Sequence, residues 1–390
     1  MRILVADDDA TQRFYISALL RKLGHDPVEA ADGEEALRLL ESSGAHILVC
    51  DLDMPVMDGL DLTRRIRERR GGHYVHVVMV TGRDREDDRR RALDVGVDDF
   101  ISKPFEASML RVRISAAVRL VEHERQLNEK NRILHEAHEQ IRADLEAAAL
   151  AQRRMLPLGS SVLGRCAFSA SFVPSAFVSG DMFGYFELGQ GRIGFYAIDV
   201  AGHGVQAALT SVAFGHLVTA EYFAGKAIGP DGRANPAALA ASLNRRFHKT
   251  DSDEYLTLFA AVLEEETGDL CYCLAGYPPP LLVGGASGPR RLGDGGFPVG
   301  LLAQAVYSNS HVKVEPGDRI VLFSDGATEA EDPEGTAFGD TRLSLLIENE
   351  AAQDASRLPR RVTEELMRWR QGHSLADDLT VLVMERRPAS

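Results

Sequence analysis

Ile47-Leu48-Val49-Cys50-Asp51-Leu52-Asp53-Met54-Pro55 is an apolar run that ends on a carboxylate and then breaks. A short, uninterrupted apolar run is what a strand buried on both faces of a parallel sheet requires. The same grammar recurs on either side. Ile3-Leu4-Val5-Ala6 runs into Asp7-Asp8, Val75 to Val80 into Thr81, and Phe100-Ile101-Ser102 into Lys103-Pro104. Between the first two runs, Ile16, Leu19, Leu20 and Leu23 fall at helical spacing, and Gly24 supplies a helix stop. Strand–helix alternation over residues 1–118 predicts a doubly wound α/β domain whose working residues gather at the carboxyl ends of the strands. The aspartates stand there.

Adjacent carboxylates at a strand end repel each other unless a cation neutralises them, and a hard, oxygen-seeking Mg²⁺ is the usual solution. A carboxylate nucleophile, acidic metal ligands, a hydroxyl and an ammonium are the parts needed for in-line phosphoryl transfer to Asp51. Helix capping accounts for a single aspartate but not for four matching strand ends. A haloacid-dehalogenase reading needs Asp-x-Asp-x-Thr/Val, and Pro55 breaks that pattern. Val5-Ala6-Asp7-Asp8, the stretch Cys50 to Gly59, Val80-Thr81-Gly82 and Ser102-Lys103-Pro104-Phe105 together resemble the receiver domain of two-component response regulators, a flavodoxin-like fold. The resemblance implies that Asp51 accepts a phosphoryl group from a sensor histidine kinase. It also implies that Asp8 and Asp51 bind Mg²⁺, with Asp7 in support and the Asp53 carbonyl helping. Thr81 and Lys103 would contact the phosphoryl oxygens, and Phe100 would be the switch aromatic.

Over 119–156 the composition shifts to Glu, Arg, Gln, Leu and Ala, with no proline before Pro157. Leu120, Leu127, Leu134, Ile141, Ala148 and Met155 repeat every seven residues, but the complementary seam is Glu124, Asn131, His138, Leu145 and Gln152. One apolar and one polar edge predict either a solvated connecting helix or a weakly paired parallel coiled coil that joins two chains into a homodimer.

Residues 157–390 read differently. Phe168 to Phe172, Ile193 to Val200, Leu258 to Leu263, Leu270 to Ala275 and Arg319 to Phe323 have strand character. Helices fit 203–223, 236–248 (Asn235 as cap, Pro236 in the first turn) and 359–370. Strands cluster rather than alternate with helices, so this half is α+β. Gly-rich 224–235 and 284–298 are expected as surface loops.

Four acidic positions stand out here. Asp181 lies in Ser179-Gly180-Asp181, Asp199 ends a strand before Ala201-Gly202-His203-Gly204, Asp325 follows Ile320 to Phe323, and Asp377-Asp378 precede the strand Leu379 to Met384. Carboxylates delivered from separate strands to one locus, without His or Cys ligands, suggest a binuclear Mg²⁺ or Mn²⁺ centre able to hydrolyse a phosphate ester in line. A cysteine-phosphatase loop fails, because Cys50, Cys166, Cys271 and Cys273 are followed six residues on by Val56, Phe172, Tyr277 and Pro279 instead of Arg. Diguanylate cyclisation fails because Met182 stands where an acid is needed. His203, between two glycines, fits a turn better than an acid or base, and Trp369 fits packing on the last helix.

Ala151-Gln152-Arg153-Arg154-Met155-Leu156-Pro157, Asp199 to Gly204, Leu274 to Pro280, Phe323 to Ala330 and Asp377-Asp378-Leu379-Thr380 resemble the metal-dependent PPM (PP2C-like) phosphatases, in the SpoIIE/RsbU-type bacterial branch. By that match the domain is a PP2C-like β-sandwich that uses two Mn²⁺ or Mg²⁺ ions. Asp181, Asp199, Asp325 and Asp377 would be ligands, the Val200 carbonyl a further donor, and Asp378 a supporting partner. The helix after Gly202 would be a regulatory switch. The implied substrate is a phosphorylated anti-sigma-factor antagonist. The alternative is an inactive adaptor that binds a regulatory protein. Two departures stand: Ser179 where the family often has Gly, and Tyr277 where it often has His.

Composition bounds the partners. Hydrophobic residues are 45% and charged residues 26% of the chain, ordinary for a folded protein, and the net charge is −14. Such a surface repels phosphate backbones and anionic lipid, so neither nucleic acid nor membrane is an expected partner. An amino terminus that runs into three aspartates and four irregularly spaced cysteines point to a cytoplasmic protein.

Overall fold

The computed structural model describes residues 1–390 except 70–72, 83–85, 158, 203, 249–253, 285–288, 352 and 389–390, and gives only the backbone of 86–89. The chain divides into two compact units, Met1–Glu139 and Gln140–Ser390.

The first unit runs β1 (Arg2–Ala6), α1 (Ala10–Lys22), β2 (Asp26–Ala30), α2 (Gly33–Ser43), β3 (Ile47–Asp51), α3 (Gly59–Glu68), β4 (His76–Thr81), α4 (Glu86–Asp94), β5 (Asp99–Ser102) and the start of α5 (Ala107–Met155). Its sheet is parallel in the order β2-β1-β3-β4-β5, the doubly wound arrangement expected. Ile3, Val5, Val49 and Val80 face Ile16 and Leu20 of α1 and Leu110, Ile114, Ala117 and Val121 of α5. Leu4, Leu48, Cys50 and Met79 face Ala36 and Leu40 of α2 and Leu62 and Ile66 of α3. Both faces are covered, which is why these strands are apolar without alternation. Asp9, Asp32 and Asp58 cap α1, α2 and α3, each accepting a backbone N–H of the first turn.

Helix α5 runs without interruption from Ala107 to Met155. Between Val121 and Glu146 it is supported by pairs along its own surface, such as Arg132–Glu136 at 2.6 Å and Arg142–Glu146 at 3.0 Å. Leu120, Leu127, Leu134 and Ile141 are exposed at seven-residue intervals.

The second unit continues with β6 (Gly159–Leu163), β7 (Cys166–Val173), β8 (Met182–Gly189), β9 (Arg192–Val200), α6 (Val205–Leu217), α7 (Ala220–Ala227), α8 (Pro236–Phe247), β10 (Leu256–Glu264) and β11 (Asp269–Ala275). Then come β12 (Leu281–Val283), β13 (Arg290–Arg291), β14 (Ser310–Lys313), β15 (Arg319–Phe323), α9 (Gly339–Asn349), α10 (Leu358–Trp369) and β16 (Leu379–Arg386). Two antiparallel sheets, β14-β11-β10-β9-β8 and β13-β12-β15-β16-β7-β6, form a sandwich. Phe168 of β7 meets Phe195 of β9 edge-on at 5.8 Å between them. Helices α6, α7 and α8 cover the outer face of the first sheet, and α9 and α10 that of the second. On β15 and β16, Ile320, Leu322, Leu382 and Met384 join the central core, while Val321, Phe323, Val381 and Val383 meet α9 and α10. The result is a four-layer α/β/β/α sandwich.

The helix expected over 203–223 is two helices, because Thr219 accepts the Tyr222 N–H at 3.2 Å and caps a new start. Residues 224–227 accordingly belong to α7 rather than to a loop, and 290–291 form β13 within the second expected loop. Asn235 caps α8 as expected, with Pro236 in its first turn.

Candidate functional site

In the first unit the register of adjacent strands sets four side chains at one end of the sheet. Ala6 pairs with Cys50, Asp51 with Val80 and Thr81 with Ser102, so Asp7, Asp51, Thr81 and Lys103 close neighbouring strands. Carboxylate oxygens of Asp7, Asp8 and Asp51 lie within 4.8 Å of one another. Asp7 is 1% and Asp51 8% exposed, whereas Asp8 faces solvent. The Lys103 ammonium bridges the buried pair, 2.6 Å from Asp51 Oδ1 and 3.2 Å from Asp7 Oδ2. Burial lifts the Asp51 carboxyl above its usual range and Asp7 adds repulsion, against the pull of Lys103 and the Asp53 N–H. Burial works against the Lys103 charge, but its two carboxylates prevail and hold it more firmly protonated. The asymmetry is physical: one cation serves two buried anions. Phe100, on β5, is partly buried against the α2–α3 face. An all-oxygen donor set with excess negative charge suits a small hard cation.

The second unit gathers its aspartates where the two sheets meet. Asp181 immediately precedes β8 and Asp199 lies near the end of β9. Asp325 opens a single 3-10 turn after β15, and Asp377-Asp378 lead into β16. Asp378 is committed to the chain: Oδ1 accepts from the Ser175 N–H (2.7 Å) and hydroxyl (2.9 Å), and Oδ2 from the Gly180 N–H (2.8 Å). Those bonds hold the loop that carries Asp181. The Thr380 hydroxyl donates to Asp181 Oδ2 at 2.5 Å, and Ser324 ties the Asp378 carbonyl to the Thr380 N–H. A Cβ at Gly326 would collide with the Asp378 carbonyl, so only glycine lets the Asp325 turn close on this segment. A Cβ at Gly180 would sit 2.9 Å from the Val200 carbonyl oxygen, so that carbonyl faces the same loop.

Electrostatics binds these residues into one group. Burial pushes Asp199 up to about 9, reinforced by Asp181, Asp325, Asp377 and Asp378. Asp181 is pushed up to about 8 by burial and by Asp378 and Asp325, with the Thr380 and Ser324 hydroxyls opposing. Asp325 rises to about 6 through burial, Asp377 and Glu329. Asp181 Oδ1 is buried without a hydrogen-bond partner. Carboxylates that raise one another's pKa, with a buried oxygen unpaired, fit divalent cations in chemistry and charge. The group is broader than the shell of one ion: among the described residues only Asp7, Asp8 and Asp51 bring three such ligand atoms within 4.8 Å.

Some participants escaped sequence reasoning. Gln152, placed on the polar seam of the heptads, is instead buried. Its Nε2 donates to the Ser179 carbonyl (2.6 Å) and the Ser211 hydroxyl of α6 (2.9 Å), and its Oε1 accepts from the Ser179 N–H (3.1 Å). Ser179, the departure from glycine, accepts the Asp181 N–H on its hydroxyl at 3.0 Å. His203 lies outside the described residues. Trp369 packs edge-on against Phe338 at 5.6 Å, as expected of a structural residue.

Comparison with known proteins agrees with both halves. Residues 3–115 match the response regulator receiver domain, and residues 189–387, just over half the chain, match stage II sporulation protein E (SpoIIE). The sensory transduction protein RegX3 of Mycolicibacterium smegmatis is 38% identical over 117 residues, 30% of this chain and 50% of RegX3. The Bacillus subtilis alkaline phosphatase synthesis transcriptional regulatory protein PhoP is 31% identical over 118 residues, 30% of this chain and 48% of PhoP. The chain thus spans about half the length of these curated relatives. Among solved structures, the PP2C domain of SiaA from Pseudomonas aeruginosa shares the fold, with a TM-score of 0.54 and 20% identity over 64% of this chain and 98% of that one. The RsbU and RsbW domains of a Mycobacterium tuberculosis protein give 0.50 and 25%, over 60% and 63%. No helix among the described residues is long and apolar enough to cross a membrane. The chain belongs to the SpoIIE family, its PP2C-like domain preceded by a response regulator receiver domain.

Proposed function

We propose that the chain is a response regulator whose output is a metal-dependent protein serine/threonine phosphatase. The observation that carries the reading is the set Asp181, Asp199, Asp325 and Asp377, all intact, with Asp181 buried and its carboxyl raised, like those of Asp199 and Asp325, by burial and by the other aspartates of the group. An adaptor that had lost its chemistry would have no reason to keep four carboxylates at such electrostatic cost.

Two Mn²⁺ or Mg²⁺ ions held by these aspartates and the Val200 carbonyl would supply Lewis acidity for in-line hydrolysis of a phosphoserine or phosphothreonine ester. The chain's own work is positioning. Asp378 fixes the Ser175–Gly180 backbone, Thr380 orients Asp181, and the Gly326 turn brings Asp325 against residues 377–378. In the receiver, Asp8 and Asp51, with Asp7 and the Asp53 carbonyl, would hold Mg²⁺ while Asp51 takes the phosphoryl group from a sensor histidine kinase. Lys103, already paired with Asp51, and Thr81 would contact the phosphoryl oxygens, and Phe100 would report their movement. The exposed Leu120, Leu127, Leu134 and Ile141 support pairing of two copies through α5. Family resemblance supports a phosphorylated anti-sigma-factor antagonist as substrate and a cytoplasmic setting.

The test is phosphate release from a phosphoserine protein by the full chain with Mn²⁺. Chelator and Asp325→Ala should each lower the rate by at least about 100-fold, the scale of losing an electrostatic element of the site. Release that persists undiminished in Asp325→Ala would refute this site as the catalyst.

A further inference from the structure

Helix α10 ends at Trp369, with Arg370 as its C-cap. The Arg370 carbonyl accepts the His373 N–H at 3.0 Å, which closes a turn through Gln371 and Gly372, both at positive φ. The side chain folds back over that turn. Its Nε donates to the His373 carbonyl at 3.4 Å and its Nη2 to the Ser374 carbonyl, in the segment that leads to Asp377. Two carbonyls hold the guanidinium but do not cancel its charge. Arg370 is 7% exposed and forms no ion pair with any described residue. Nη1 has no hydrogen-bond partner among them either, yet it is not sealed in the interior as Nη1 of Arg319 is. The surface that Arg370 keeps lines a cavity of about 320 Å³, together with Gly326, Glu329, Glu331 and Asp377.

Asp377 ties that cavity to the candidate metal centre, and its volume is that of a small-ligand pocket. Its charged wall is mostly acidic. A phosphoryl dianion entering there is repelled by Glu329, Glu331 and Asp377 unless cations meet it. Metal ions at the aspartates would be one source of positive charge. Arg370 is the one cation among the described residues of the wall. A buried guanidinium without a counter-ion is unfavourable in a fold, and an open N–H group beside an acidic metal site suits recognition of an oxyanion. We infer that Arg370 is a substrate-contacting residue of the phosphatase, its Nη1 donating to an oxygen of the phosphoryl group while Nε and Nη2 keep it anchored to residues 373 and 374. The inference rests on the phosphatase reading and deepens it. Held on its own turn, the guanidinium needs little reorganisation as the phosphoryl group arrives.

The test compares full-length wild type, Arg370→Gln and Arg370→Lys at saturating Mn²⁺, on an aryl phosphate and on a phosphoserine protein, with inorganic phosphate as inhibitor. Arg370→Gln should lower kcat/KM about 10–100-fold on both substrates, the worth of a charge-assisted hydrogen bond, and raise the inhibition constant of phosphate by a similar factor. Arg370→Lys keeps a cation on a long stem and should recover part of both losses. Mn²⁺ affinity, read by calorimetry, should be the same in all three proteins. Weaker Mn²⁺ binding by Arg370→Gln would overturn the inference, because Arg370 would then act by placing Asp377. So would unaltered rates and inhibition. A loss confined to the protein substrate would also overturn it, since the contact would then be to an acidic side chain of that protein and not to the phosphoryl group. If neither variant folds, Arg370 belongs to the fold and the inference fails. A wild type inactive on both substrates would overturn the phosphatase reading itself, and the inference with it.

Discussion

Asp377 and Asp378 are neighbours in the chain with opposite duties. Both oxygens of Asp378 are consumed by Ser175 and Gly180, whereas Asp377 accepts one bond, from the Asp378 N–H, and otherwise repels Asp199 and Asp325. Replacing each by asparagine should therefore separate structure from function. Asp378→Asn turns a donor toward a backbone N–H and should destabilise the protein by about 1–3 kcal/mol. Asp377→Asn relieves repulsion, so it should raise the melting temperature in chelator while weakening Mn²⁺ binding; a fall in both would contradict the assignment. The raised carboxyls also set a pH dependence. Folded Asp181 and Asp199 titrate near 8 and 9, against an ordinary aspartate near 4 in the unfolded chain, so the folded state holds the extra protons. Their stabilising contribution is full below about pH 4 and is lost as pH rises through the folded values. In chelator the melting temperature should fall between about pH 6 and pH 9, and saturating Mn²⁺ should remove that fall. A flat chelated profile would contradict the clustering of these carboxylates.

At the scale of elements, the last turn of α5 reaches the loop that carries Asp181 through the side chain of Gln152. Gln152 satisfies both the N–H and the carbonyl of Ser179 and touches Ser211 on α6. Gln152→Leu should destabilise the second unit by about 1–3 kcal/mol, read by thermal unfolding, because it strands buried backbone polar groups. An unchanged transition would remove that role. Gln152 also shows where the sequence was silent. Strands apolar on both faces, such as β1, β3, β4 and β15, declare themselves by composition, and the aspartates after β1 and β15 and at the end of β3 were legible with them. Strand β8, interrupted by Gly184, and helix α9, which has no side-chain cap, carry no such signal. The partners that hold the site were hidden for another reason. Ser175 and Asp378 are 203 residues apart, and a hydrogen bond between distant polar residues leaves no periodicity to read. The break between α6 and α7 was masked because Phe214, Val218 and Tyr222 keep helical spacing across it, although Thr219 three residues before Tyr222 is an ordinary capping arrangement.

At the scale of the molecule, the net charge of −14 and the leucine stripe of α5 bear on assembly and control. Leu127 and Leu134 are 57% and 67% exposed, uncovered by any of the described residues. Leu127→Asp with Leu134→Asp should reduce a dimeric sedimentation coefficient to that of a monomer, and a wild type that sediments as a monomer would contradict pairing through α5. The claim that joins the two halves is that the state of Asp51 sets the rate of the phosphatase. The most direct measurement is Mn²⁺-dependent phosphate release from a phosphoserine protein, with and without a small acyl-phosphate donor and Mg²⁺, for wild type and Asp51→Asn. The donor should change the wild-type rate several-fold and leave Asp51→Asn unmoved at its basal rate. Equal responses in the two proteins would contradict control through the receiver.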